Sequence, residues 1–444
     1  MNAPENVVPR GWQGLDMPSY EIINSCVRCG LCLPTCPTYL LNLRETSSPR
    51  GRIHLMQAVS DGALDVLDPG FAHQMYECLD CRACEAVCPS GVAYGQLVEP
   101  ARHQVTLARR KGITERLLRW AVFDRLFADM RLFRKFSRLL WLYQRGGAQW
   151  LARRSGLLRT LDLARMEALL PRMSSAFLIP RGQEWRPAGE PRYRVGLFAG
   201  CVMSTAFAAT DAATVRVLQR NGCTVVAPEG QGCCGALHVH AGELDRSRAL
   251  MKRNIEAFEQ QELDAVIVNA AGCGAALKEY GHLLERDPAW AERARRFSEC
   301  VQDVTAFLGT LELDPRMGTL DAVVTYQEPC HLVHAQRISE EPRKLLRAIP
   351  GLRLVEMEES AVCCGSAGIY NITEPERSGQ LLDRKLAHAL ATQPDVIASA
   401  NPGCILQLQS GLRERGSEVR VAHIVDLLDE AYRGFRCYSG EQED

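Results

Sequence analysis

The spacing of apolar residues changes character near residue 194. Upstream, Phe123, Phe127, Met130, Phe133, Phe136 and Leu140 recur at intervals of three and four, which predicts amphipathic helices. Downstream, the short apolar runs VGLFAGC, CTVVAPE and AVIVNAAGC alternate with the helical stretches DAATVRVLQRNG and GAALKEYG. That alternation predicts a parallel sheet with helices on its faces. The polar stretch 181–194, RGQEWRPAGEPRYR, has no period and reads as a linker. The longest apolar candidate, AVIVNAAGCGAAL at 265–277, falls short of the roughly 18 residues a spanning helix needs and reads as a buried strand running into a helix. Any membrane contact is therefore expected to be peripheral.

The downstream half repeats itself. RVGLFAGC at 194–201 is matched by DAVVTYQEPC at 321–330, GCCGA at 232–236 by VCCGS at 362–366, and IVNAAGCGAALKEYG at 267–281 by IASANPGCILQLQSG at 397–411. Three landmarks in the same order, offset by 129 to 131 residues, indicate a duplication. Each copy places its cysteines where strands end and helices begin, the position at which open α/β sheets carry their sites.

Composition sharpens this picture. Nineteen cysteines in 444 residues call for disulfides in an oxidising compartment or metal in a reducing one. The opening MNAPENVVPRGWQG has no basic region followed by an apolar core, so a cytoplasmic location is expected, with metal the consequence. A formal charge of −1 argues against nucleic acid as the main partner. The length allows roughly two to four domains.

The N-terminal cysteines have a diagnostic spacing. CVRCGLCLPTCP at 26–37 and CLDCRACEAVCP at 78–89 are both C-x2-C-x2-C-x3-C-P. Three thiolates at i, i+3 and i+6 wrap one 4Fe-4S cube, and the fourth ligates the other cube. On that pattern Cys26, Cys29, Cys32 and Cys88 hold one cluster, while Cys78, Cys81, Cys84 and Cys36 hold the second. Pro37 and Pro89 turn the chain away after each crossing ligand. A pair of zinc sites is the alternative, but zinc has no use for a third cysteine at i+6. Between the runs, Arg50 and Arg52 read either as solvated turn residues or as donors toward cluster sulfurs.

From Arg109 to Arg159 there are fourteen Lys/Arg and three acidic residues. Such a basic amphipathic stretch covers a neighbouring domain or subunit, or meets anionic lipid at a membrane surface.

In the repeats, Cys201, Cys233, Cys234 and Cys273 form one candidate set, and Cys330, Cys363, Cys364 and Cys404 a pseudo-equivalent one. Four thiolates suffice for a cluster. The bland reading is small buried residues beside a turn glycine. Cys223, Cys300 and Cys437 have no counterparts and read as free thiols. His238, His240, His331 and His334 flank the sets and read as structural. No dinucleotide fingerprint or flavin motif is present.

With CVRCGLCLPTCPTY, SPRGRI, CPSGVAYG, GCCGA, GCGAALKEYG, CCGSAGIY and ANPGC in place, the chain resembles the iron-sulfur subunits of glycolate oxidase. These sit within a wider family of CCG-domain proteins that includes heterodisulfide reductase subunits and the iron-sulfur subunits of lactate and anaerobic glycerol-3-phosphate dehydrogenases. The resemblance implies a multidomain α+β chain. A helical two-cluster ferredoxin-type module spans 1–108, a basic connector and linker 109–193, and two CCG α/β domains 194–320 and 321–444. It further implies electron transfer from FAD on a partner subunit that oxidises glycolate, through clusters, to an acceptor such as quinone, with a peripheral place on the cytoplasmic face of the inner membrane. No residue of this chain is then catalytic. A lactate or glycerol-3-phosphate dehydrogenase subunit, a thiol or disulfide reductase working through the vicinal cysteines, and a non-enzymatic iron-sulfur scaffold or sensor are the alternatives. One departure stands out. CCG domains that end in C-x-x-C use five cysteines for a noncubane cluster, whereas Ala276 and Gln407 occupy the last position here.

Overall fold

The computed structural model describes residues 11–160 and 163–434. Its N-terminal part is helical. Pro37–Asn42, Pro49–Ser60 and Pro69–Glu77 each begin with proline at the first turn, where its missing N–H costs nothing. Ser48 and Asp68 cap the second and third by accepting from Gly51 N at 3.0 Å and Phe71 N at 2.9 Å. These helices and Gly95–Ala108 enclose a core of Ile53, Met56, Phe71, Met75, Leu97 and Val98.

Each repeat forms its own sheet. Strands β1 (Gln183–Trp185), β2 (Tyr193–Phe198), β3 (Cys223–Ala227), β4 (Ala265–Val268) and β5 (Val301–Asp303) lie in the order β1-β3-β2-β4-β5. All pairings are parallel except that of β1 with β3. The second sheet, β6 (Ala322–Tyr326), β7 (Leu352–Leu354), β8 (Val396–Ser399) and β9 (Arg420–His423), has the order β7-β6-β8-β9 and is parallel throughout. β4 and β8 are buried at every position, which explains their continuous rather than alternating hydrophobicity.

One sequence expectation needs correction and another gains detail. The stretch read as a linker contributes β1, an antiparallel edge strand too short and too polar to carry a period. The apolar spacing between Phe123 and Leu140 also crosses a break: a π-helical turn, Trp120–Leu126, ends before Asp129 starts a new helix, Met130–Arg145, by accepting from Arg131 N and Leu132 N.

A single apolar core runs through both repeats, joining Val195, Leu197 and Val225 to Val324, Leu345, Ile424 and Leu428. Helix Ala208–Arg220 of the first packs on Ile424–Gly434 of the second, with Arg216 in a two-pronged pair with Asp429 at 2.8 and 2.7 Å. Among the described residues no helix is long and apolar enough to cross a membrane.

Candidate iron-sulfur centres

Both N-terminal cysteine runs fold into the same turn. Arg28 and Gly30 adopt positive φ in the first, and Asp80 and Arg82 do so 52 residues later. The left-handed residues aim the sulfurs inward from a tight loop. The runs then exchange their fourth cysteines. Cys26, Cys29, Cys32 and Cys88 line one hollow with Pro49, Arg50 and Tyr94. Cys36, Cys78, Cys81 and Cys84 line another with Pro37, Arg52 and Leu79. Cys84 also reaches the edge of the first, so the two hollows are neighbours. Donors already point at sulfur: Asp80 N lies 3.3 Å and Tyr94 Oη 3.7 Å from Cys78 Sγ, and Val92 N lies 3.4 Å from Cys88 Sγ. Four thiols around each hollow, with sulfur-directed N–H and O–H groups, suit a 4Fe-4S cube. Pro37, expected to end a segment, starts the helix Pro37–Asn42 with Cys36 as its cap residue.

The two hollows differ in exposure. Cys29 is exposed and Cys26, Cys32 and Cys88 are half-buried, whereas Cys36, Cys78, Cys81 and Cys84 are buried. The arginines between the runs also separate. Arg50 sits near the surface on Glu45 and donates to Arg28 O at 3.1 Å. Arg52 is fully buried, pairs with Glu77 at 2.9 Å, and donates to Thr38 Oγ1 at 3.1 Å and Gln74 O at 2.8 Å.

In the repeats, every cysteine of the two sets lies beyond the carboxyl end of a strand. Cys201 follows β2, Cys233 and Cys234 follow β3, and Cys273 sits in the first turn of Ala271–Lys278 after β4. Cys330, Cys363, Cys364 and Cys404 follow β6, β7 and β8 in the same way. In both sheets the strand order reverses between the first and third of these strands, the switch point at which open α/β sheets bind ligands. The vicinal pairs depend on the glycine after them. Gly235 and Gly365 have φ of +86° and +87°, and a Cβ there would come within 2.5 Å of Ser247 Oγ and 2.7 Å of Ser378 O.

All eight thiols open onto one cavity of about 310 Å³ between the repeats, floored by Leu79 from the N-terminal module. Cys234 and Cys273 sulfurs are 3.2 Å apart. Hydrogen bonds from Cys201 and Cys234, with a smaller contribution from His238, hold Cys233 well below the usual thiol range. Cys363 and Cys404 do the same for Cys364. Thiols this close cannot remain independent, and four gathered sulfurs in each set are a donor group that a metal could use. Of the unmatched cysteines, Cys223 is buried, with its thiol pushed up to about 12 by burial; Cys300 is exposed; Cys437 lies outside the described residues.

The flanking histidines are more engaged than their sequence context suggested. His238 Nε2 donates to Phe123 O at 3.0 Å, tying the connector to the first set. His240 and His331 face each other with ring centres 5.4 Å apart. Between them lies Asp80, whose carboxylate is 3.3 Å from His240 Nδ1 and whose carbonyl accepts from His331 Nε2 at 2.8 Å. Burial alone would raise the Asp80 carboxyl, but Arg82 and His240 overcome it and keep it ionised. His334 donates to Ala361 O at 3.1 Å. No periodicity marks any of these partners. Asp16, His103 and Asp245 also approach one another, but Arg248 lies 2.5 Å from Asp16 and 2.9 Å from Asp245, so the group is an ion-pair clasp.

Comparison with known proteins agrees with this arrangement. Residues 22–92 match the 4Fe-4S dicluster domain, 195–278 and 324–409 each match the cysteine-rich domain, and 114–170 match the linker region of the glycolate oxidase iron-sulfur subunit. The chain is 46% identical over 419 residues to the probable glycolate oxidase iron-sulfur subunit of Bacillus subtilis (strain 168), covering 93% of this chain and 94% of that one. It is 32% identical over 416 residues to the glycolate oxidase iron-sulfur subunit of Escherichia coli (strain K12), with 93% and 94% covered. Lactate utilization protein A of Bacillus licheniformis is 32% identical over 237 residues, 53% of this chain and 99% of that one. Two full-length matches and a linker found under the same description lead to one conclusion: the chain belongs to the family of glycolate oxidase iron-sulfur subunits.

Proposed function

We propose that this chain conducts electrons from FAD on a partner subunit, where glycolate is oxidised, to a quinone. The ligands are Cys26, Cys29, Cys32 and Cys88 for one 4Fe-4S cluster and Cys36, Cys78, Cys81 and Cys84 for the other, with at least one further cluster among the repeat cysteines. The clusters supply one-electron carriers between a two-electron flavin and its acceptor. The protein contributes ligands, burial and sulfur-directed hydrogen bonds. The observation that carries this reading is the pairing of eight N-terminal thiols into two adjacent hollows, one near the surface and one buried. The chain divides into the cluster module at 1–108, the connector, and the two repeats, with the first repeat taking up β1.

The purified chain should fail to oxidise glycolate with a dye acceptor and should support that activity only after FAD-bearing partners are added. Dye reduction by the lone chain would refute the subunit role. Reduction of a disulfide by the lone chain would favour a thiol reductase working from the shared cavity. Iron analysis should give about twelve atoms per chain rather than the eight of two cubes.

A peripheral membrane contact is supported by the connector. Helix Met130–Arg145 buries Phe133 and Ser137 but exposes Leu132, Phe136, Leu139 and Leu142 beside Arg131, Lys135 and Arg138, and Trp150 and Leu151 continue the apolar surface. Apolar residues flanked by cations suit an anionic lipid surface. Sedimentation with vesicles containing phosphatidylglycerol should be lost in Phe136→Glu/Leu139→Glu and weakened by salt. Equal pelleting of the variant would leave the patch to a protein partner.

A further inference from the structure

The two repeats meet the N-terminal module differently. Cys363 of the second repeat, with Cys330 against it, packs in one apolar cluster with Leu79, Cys81 and Ala83 of the second cysteine run. Cys330 thus meets Cys81 across the junction within one apolar cluster. Cys201 and Cys233 of the first repeat pack instead with Phe133 and Leu250, against Leu126, Phe127 and Met130 of the connector. Duplication gave each repeat the same thiols, yet only one set borders the buried hollow.

Tyr370 stands at this border. It belongs to the same apolar cluster, is 4% exposed, and its hydroxyl has no hydrogen-bond partner among the described residues. A phenol is an O–H donor at neutral pH. A buried hydroxyl left without an acceptor is costly, and since no described cysteine sulfur lies within hydrogen-bond reach of it, the acceptor would be a sulfide of a bound cluster.

A second asymmetry agrees. At the position related by the repeat offset to Asn254, the second repeat carries Lys385. Asn254 is neutral and donates to Cys233 O at 2.9 Å. Lys385 is 2% exposed, donates to Ser360 O at 3.0 Å and stands beside Cys363, Cys364 and Cys404. An amine beside the sulfurs of one set, where the other has a neutral amide held on backbone, makes the two sets electrically unlike.

We infer that the second repeat, rather than the first, is the one wired to the two-cluster module, and that the Tyr370 hydroxyl donates to a sulfur on the Cys78 side of their junction. This rests on the cluster ligation proposed above. A donor at sulfur stabilises the reduced state and raises the potential of that centre.

The test is potentiometric titration of the anaerobically purified full chain, followed by electron paramagnetic resonance. Tyr370→Phe keeps the ring and should lower the midpoint of one two-cluster-module centre while leaving the other, and the iron content, unchanged. The spectrum should also carry magnetic broadening between that centre and a repeat centre, lost in Cys330→Ser and retained in Cys201→Ser. Equal midpoints in Tyr370→Phe and wild type, a shift confined to a repeat centre, or broadening that depends on Cys201 instead, each overturns the inference. Absence of both two-cluster-module signals from the wild-type chain would defeat the function reading itself and the inference with it.

Discussion

Arg82→Leu should cost the fold about 3 to 5 kcal/mol, read as a fall in the denaturant midpoint of the anaerobic protein. Arg82 is the one guanidinium shared by Asp80 at 2.9 Å, Glu85 at 3.2 Å, Glu99 at 2.7 Å and Glu279 at 3.2 Å. Asp80 and Glu99 are 1% and 5% exposed, so removing the cation strands carboxylates where water cannot reach them. Burial and the neighbouring Glu279 already push Glu99 upward. Arg82 also sits in the left-handed region, where the first run has Gly30. Arg82→Gly should therefore destabilise by about 1 to 2 kcal/mol less than Arg82→Leu, since it removes the same charge but relieves the backbone. Gly95→Ala should resemble Arg82→Leu, because a Cβ at Gly95 would lie 1.6 Å from the Arg82 guanidinium carbon. A loss below about 1 kcal/mol for Arg82→Leu would mean that the network is solvated after all.

The second large effect concerns the crossed thiols. Cys36→Ser should abolish the centre built by Cys78, Cys81 and Cys84, although Cys36 belongs to the other run; Cys88→Ser should abolish the centre built by Cys26, Cys29 and Cys32. Each should cost up to about four irons. The centres can be told apart by exposure: Cys29 reaches solvent, so its centre should lose iron first to a soluble chelator. Loss of the chelator-sensitive signal in Cys36→Ser would reverse the assignment.

The features legible in the sequence were those with a fixed spacing. C-x2-C-x2-C-x3-C-P is dictated by the geometry of one cofactor, and the repeat offset survives because equivalent strands and glycines, such as Gly235 and Gly365, meet the same local demand. The parallel sheets followed from runs buried on both faces. What stayed hidden depends on contacts between distant segments. Arg52 read either as a solvated turn residue or as a donor toward cluster sulfurs, because its partner Glu77, 25 residues away, leaves no local trace. β1 and β5 are three residues each, too short for any period. The orphan hydroxyl of Tyr370 and the meeting of eight thiols in one cavity arise only when the repeats and the first module close on each other.

That closure has a consequence for synthesis on the ribosome. The interior of the first repeat is completed by Ile424, Val425 and Leu428 from the last described helix, so an emerging chain holds Val215, Val217 and Leu218 without their cover until about 200 further residues have been made. At about 5 to 20 residues per second this is an interval of roughly 10 to 40 seconds. During it Cys233 and Cys234 of the first repeat have been made, while the opposite wall of their cavity, with Cys363 and Cys364, does not yet exist. Over that interval the nascent chain holds bare apolar surface and uncovered thiols together, which favours aggregation and oxidation of its sulfurs.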